Sequence, residues 1–212
     1  MAGIRDHMEE LRAVAERELG QKSSHSWKEP GNKYGHGIRT AVLCEKLRRE
    51  ICPDDPSVNT DILTVAAWFH DLCNGMDDHE NAGADLLPSL IGHLMTEEEL
   101  DAVCGLVRVH DHRTDSPDKS AYPAAVKLLQ DADMLDHLGA YDVWITFAEF
   151  TFKHKTPQNY ADCFQDGSFD RFEAHWRARI NYPFSLTVFD EKIRFERDFA
   201  ARLDRELRGE FC

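Results

Sequence analysis

The chain sets a histidine and an aspartate side by side, His70-Asp71, at the end of a nearly unbroken apolar run over 61–72. Ionisable groups are rarely left in such a place unless they are paired or bound to a metal. Imidazole and carboxylate suit divalent first-row metals, which want several such groups converging. Further candidates lie on both sides. His36 stands upstream, and Asp131, Asp133 and Asp136 stand downstream among Leu128, Leu129, Leu135 and Leu138. His36 alone, at a helix start, reads more readily as a cap or a surface group than as a ligand. The three acids could form a solvated face, but the leucines around them require at least one to point inward. An ion held by such groups lowers the pKa of bound water and polarises a phosphoryl oxygen. The chemistry in view is therefore hydrolysis by a metal-activated water.

The elements that must position these residues are helical. Ile4, Met8, Leu11, Val14 and Ala15 recur at spacings of three and four, which predicts an amphipathic helix stopped by Gly20. Residues 21–35 are polar and read as a loop. A second helix begins at His36 and ends before Pro53 and Pro56. The run over 61–72 predicts a buried helix, broken by Asn74-Gly75. A short helix spans Asp78 to Leu87. Thr96 and Glu99 form a capping box that starts a helix reaching His110. A loop with Pro117 covers 111–122, and one long helical segment covers 123–153, with a bend at Gly139. Residues 155–168 read as an exposed insertion. Helices over 169–180 and 186–208 complete the set, the last with Phe189, Ile193, Phe199, Ala200, Leu203 and Leu207 on one face. No repeat, linker or alternating strand pattern interrupts this. The expectation is an all-α bundle forming a single domain over 1–212.

Composition narrows the partners. The chain has 212 residues, 42% hydrophobic and 30% charged, with a formal net charge of −14. Such a surface repels phosphate backbones, so long nucleic acid is not an expected partner. No stretch approaches the length of a membrane span. The first residues are acidic and lack an apolar segment, which argues against a secretory signal. The six cysteines, Cys44, Cys52, Cys73, Cys104, Cys163 and Cys212, show no Cys-x-x-Cys spacing and read as reduced thiols. A cytoplasmic location follows as the expectation.

Four segments together resemble the HD-domain metal-dependent phosphohydrolases. His36-Gly37-Ile38-Arg39 is similar to the family's first motif and Phe69-His70-Asp71-Leu72 to its central one. His79-Glu80-Asn81-Ala82-Gly83-Ala84 resembles the segment between, Val109-His110 a later histidine, and Asp131-Ala132-Asp133-Met134-Leu135-Asp136 the last motif. The likeness covers roughly residues 25–150, with the C-terminal helices over 169–208 packed on that core.

The resemblance implies a helical bundle with a metal site in its core. It assigns His36, His70, Asp71 and Asp133 as ligands, with Asp133 preferred to Asp131 because the family's acid begins an Asp-x-x-Asp step. It implies one divalent ion rather than two: Mn, Fe, Ni, Co, Zn or Mg. His79 and His110 would hold a second ion or face the substrate, where either could protonate a leaving oxygen; with Asp71 they are the catalytic candidates. Glu80, Asp136 and Arg39 are the substrate-side candidates, Arg39 as the leading phosphate donor. Arg108, Arg113 and Lys127 read chiefly as surface charges. His137 lies four residues after Asp133, hence on the same helical face, but reads as a surface histidine, like His25 and His112. The implied substrate is a small phosphate compound, in the first instance a nucleoside triphosphate cut to monophosphate and pyrophosphate. Two other readings stand beside it: a di-iron oxygenase on the same ligands, and a non-catalytic nucleotide or metal sensor.

Overall fold

The apolar run folds as a helix because Leu63, Val65, Ala66, Ala67 and Phe69 are all buried and Asn59 caps its start, accepting from the amides of Asp61 and Ile62. In this computed structural model it is α3, Thr60–Phe69. Ten α-helices and two short 3₁₀ turns lie within the described residues, which are 3–114, 118–120 and 122–211; Pro117 and Cys212 lie outside them. No strand occurs among these residues, so the all-α class holds.

The first helix α1, Met8–Leu19, and the second, α2, Asn32–Ile51, pack on α3. Gly37 permits the close approach of α2: a Cβ there would lie 2.7 Å from the carbonyl oxygen of Trp68. That approach brings the His36 region against the end of α3. Helix α4, His79–Ile91, and α5, Glu97–Val109, form an antiparallel pair behind it, and α6, Ala124–Asp136, closes the group against α2. The capping box at α5 is formed: the Glu99 amide donates to Thr96 Oγ1 (3.3 Å) and the Thr96 amide to Glu99 Oε2 (2.9 Å).

Three expectations are corrected. The second helix starts at Asn32, so His36 sits one turn inside it and not at its start. The segment 123–153 is two helices, α6 and α7, Ala140–Phe152; Gly139 adopts φ +82°, a backbone state that breaks the helix. The stretch 155–168 contains α8, Pro157–Gln165, which buries Tyr160 and Ala161 against the C-terminal helix. Pro157 at the first helical position and Asn159 bonded back to the Thr156 amide were the local signals of a helix start. Helix α9, Ser168–Arg177, and the long α10, Pro183–Leu207, complete the chain. Among the described residues no helix is long and apolar enough to cross a membrane, and Cys44, Cys52, Cys73, Cys104 and Cys163 are free thiols.

Candidate metal centre

Five helices deliver side chains to one polar cluster inside this bundle. His36 comes from the second turn of α2 and Asp133 from α6. His70 and Asp71 occupy the turn that ends α3, His79 is the first residue of α4, and His110 follows α5. Helix ends dominate because a histidine there can tie Nδ1 to a free carbonyl of its own last turn. His70 Nδ1 meets the oxygen of Ala67 at 2.8 Å and His110 Nδ1 meets that of Val107 at 2.7 Å. A carbonyl only accepts, so these Nδ1 atoms carry the protons and the Nε2 lone pairs face the cluster.

His36 and His70 bring their Nε2 atoms to 3.0 Å of each other. Asp133 Oδ1 lies 3.0 Å from the first and 3.5 Å from the second, and Asp71 Oδ2 lies 3.7 Å from both. Two imidazole nitrogens and two carboxylate oxygens thus converge, a donor set suited to a divalent first-row ion. His36 Nδ1 is held by Asp136 Oδ2 at 2.8 Å, and Arg39 grips both Asp136 oxygens at 2.8 Å. Outer partners of this kind orient metal-binding imidazoles. The residues present fit a divalent metal.

Asp71 also faces the other way. Its Oδ1 lies 3.8 Å from His79 Nε2 and accepts from Asn74, and Asp71, His79 and His110 form a second group with ligand geometry. His79 Nδ1 lies 3.2 Å from Glu80, and His112 approaches the same carboxylate at 3.6 Å. A third group joins His36, Asp133 and His137, whose Nε2 lies 3.5 Å from Asp133 Oδ1.

The electrostatics are those of a carboxylate-rich pocket ringed by cations. Burial opposes charge on His36, but its bonds to Asp133 and Asp136 outweigh this and raise its pKa to about 9. Burial also works against the Asp133 carboxylate; Arg113 and the surrounding histidines nevertheless hold it well below the usual range. Asp71 is likewise held low against burial, by His70 and Lys33. Burial and the neighbouring His70 push His110 down to about 4, so it is a neutral imidazole at ordinary pH.

The structure therefore gathers His36, His70, Asp71, Asp133, His79 and His110 in one place. Asp136 and Arg39 stand behind the cluster, where both Asp136 oxygens and the guanidinium are already engaged; Arg39 also stacks on Tyr141 at 4.1 Å, and neither residue lines the cleft. Asp131 turns away and accepts from the amides of Asn181 and Tyr182. The cleft's cations are instead Lys28; Lys33, paired with Asp71; and Arg113, paired with Asp133. The Arg113 side chain is buried, contrary to its reading as a surface charge, and Lys33, also buried, lies in a polar stretch with no local signal of it. His25 and His137, read as surface histidines, line the cleft as well.

Residues 34–138 match the family model of the HD domain. Solved structures share the fold over nearly the whole chain. An HD-superfamily hydrolase from Bacillus thuringiensis aligns with a TM-score of 0.70 at 19% identity, covering 98% of this chain and 100% of that one. YpgQ of Bacillus subtilis, solved in complex with ADP, aligns at 0.65 and 18%, covering 96% of each chain. A predicted HD-superfamily hydrolase from an uncultured Thermotogales bacterium aligns at 0.61 and 16%, covering 95% and 93%. No curated protein matches the sequence.

Proposed function

Because residues 34–138 place this chain in the HD-domain family, we propose that it is a metal-dependent phosphohydrolase of small phosphate compounds, in the first instance nucleotides. The observation that carries this reading is the arrangement of paired imidazoles. His36 and His70 each spend Nδ1 on a fixed acceptor and turn Nε2 toward Asp71 and Asp133. His36, His70, Asp71 and Asp133 would hold one divalent ion. Such an ion supplies Lewis acidity, lowering the pKa of a water and polarising a phosphoryl oxygen.

The chain's own residues do the rest. Lys33 and Arg113 line the cleft beside the two ligand carboxylates and bind phosphate oxygens entering there. Asp71 Oδ1, on the open side of the cluster, accepts a hydrogen bond from the attacking water. His79, backed by Glu80, gives a proton to the leaving oxygen. His110 is too weakly basic to hold a spare proton and acts through its Nε2 lone pair. With a nucleoside triphosphate, water adds to the α-phosphorus, the bond to the bridging oxygen breaks, and pyrophosphate leaves with the proton. The ADP bound to YpgQ supports nucleotides as the substrate class. The whole chain acts as one domain, and the free thiols suit the cytoplasm.

One observation favours a second reading. Asp71 presents one oxygen to His36 and His70 and the other to His79, so two groups of candidate ligands share this carboxylate. Two irons there would make oxygen activation the chemistry. The test is a screen of phosphate compounds with Mn, Co, Ni and Mg, on the native protein and on Asp71→Ala, with bound metal counted in both. Phosphate or pyrophosphate release that Asp71→Ala loses together with its metal supports the hydrolase. Full metal and full activity in the variant would sink the assignment. Tight iron with oxygen-dependent turnover and no phosphate release would replace it with the second reading.

A further inference from the structure

The cleft has two ends of opposite character. One is the His/Asp centre with Lys33 and Arg113. The other is walled by Phe172 and Trp176 of α9, which lies outside the segment that matches the HD domain. The cleft measures about 440 Å³, and a second cavity of about 260 Å³, lined by aromatic rings, adjoins it. The two share Asp142 and Phe172. Together they fall in the size range of small-molecule sites, roughly 300–1,000 Å³.

We propose that Phe172 and Trp176 hold the base of a nucleotide whose phosphates lie at the His/Asp centre, and that Asp142 selects bases bearing an amino group. This rests on the phosphohydrolase reading above. The phosphate end binds charge but cannot tell one phosphate compound from another. The far end offers what a planar ring needs. Phe172 is braced from behind by Phe169, with ring centroids 5.8 Å apart, and Phe169 by Phe164 at 4.0 Å. Trp176 meets Phe172 edge-on at 6.4 Å. Both rings are only partly buried and face the cleft, so a stacked base covers apolar surface on a fixed platform.

Asp142 supplies the polar discrimination. It lies at the junction of both cavities, and Thr146, one turn along α7, donates a hydrogen bond to its carboxyl. Burial raises its pKa to about 6, so at neutral pH it is ionised and only accepts. An exocyclic amino group donates to such a carboxylate. In uracil a carbonyl replaces that group and turns an acceptor toward the carboxylate, which leaves only the adjacent ring N–H to donate.

The test is calorimetric binding of CDP, UDP and inorganic pyrophosphate to the Mn-loaded protein. CDP and UDP differ at the position Asp142 would read, an amino group in one and a carbonyl in the other, and at the adjacent ring nitrogen, an acceptor in one and a donor in the other. Both should bind more tightly than pyrophosphate, and CDP more tightly than UDP by roughly ten-fold. Phe172→Ala and Trp176→Ala should each weaken both nucleotides by roughly ten-fold and leave pyrophosphate unchanged. Asp142→Asn should erase the preference for CDP. If pyrophosphate binds but the bases add nothing, or if the ring variants weaken pyrophosphate equally, the base subsite is overturned and the phosphate reading stands. If no phosphate compound binds, the phosphohydrolase reading fails and takes the subsite with it.

Discussion

Two buried polar regions of this molecule invite comparison. The first is the cluster of His36, His70, Asp71 and Asp133 between α2, α3 and α6. The second is the corner where α7, α8 and α10 meet, with Glu196 and Tyr160 inside. Both are almost fully shielded from solvent. In the first, each imidazole has a dedicated outer partner and each carboxylate a cation. In the second, Glu196 Oε1 accepts from the Gly139 amide, but Glu196 Oε2 and the Tyr160 hydroxyl have no hydrogen-bond partner among the described residues. Burial, reinforced by nearby Asp142, pushes Glu196 up to about 8, so it is largely a neutral acid at pH 7. Buried polarity alone does not mark a site. What marks one is several groups aimed at a common point with their other atoms already engaged.

The comparison can be broken at several places. The largest effect is expected at the centre itself: His70→Ala should cost roughly a thousand-fold in phosphate release, since metal catalysis contributes several kcal/mol. Steady-state rates at saturating Mn check this, and a loss below ten-fold would mean His70 is not a ligand. One layer out, Asp136→Asn keeps the shape but weakens the grip on His36 Nδ1. Metal affinity should fall by 10- to 100-fold, the range typical of outer-partner changes, as read by a competing chelator.

On the proposed assignment, protons and metal compete for the His36 nitrogen. Its pKa is raised to about 9, so below that pH a bound ion must displace a proton. Mn affinity should rise by roughly ten-fold per pH unit from 7 until the pH passes about 9, then level off. A flat profile over that window would contradict the charge assignment.

The smallest effect belongs to the other region. Glu196 has a raised pKa, so the folded state binds its proton more tightly than the unfolded chain does. Stability attributable to it is therefore full below the ordinary glutamate range and is lost as pH climbs toward about 8. Glu196→Gln should remove that loss, making the variant more stable than the native protein by roughly 1–3 kcal/mol at pH 8 and little different at pH 5. Denaturant unfolding at both pH values decides it; equal differences at the two would show that Glu196 does not titrate there.

Much of the centre was legible in the sequence because its chemistry sits against apolar neighbours. His70 and Asp71 end a run that is buried at Leu63 and from Val65 through Phe69, and Asp133 lies among buried leucines. What was illegible depends on contacts distant in sequence. Lys33 is buried because Asp71 receives it from 38 residues away, and nothing local announces that. Arg113 follows a helix in a polar stretch, so its ion pair with Asp133 could not be read from its neighbours. Arg39 sits three residues after His36, which suggested a substrate contact. The fold instead uses it to anchor Asp136. Helix α8 was missed because its buried face is narrow, chiefly Tyr160 and Ala161, and the rest of its surface is polar.

The central claim is that Asp133, with His36, His70 and Asp71, holds a divalent ion, while Asp131 two residues earlier only ties down the connection to α10. Metal content after Mn loading and desalting tests it directly, in the native protein, Asp133→Asn and Asp131→Asn. The account predicts bound Mn in the native protein and in Asp131→Asn, and its loss from Asp133→Asn. Retention of Mn in Asp133→Asn at the native level would contradict it.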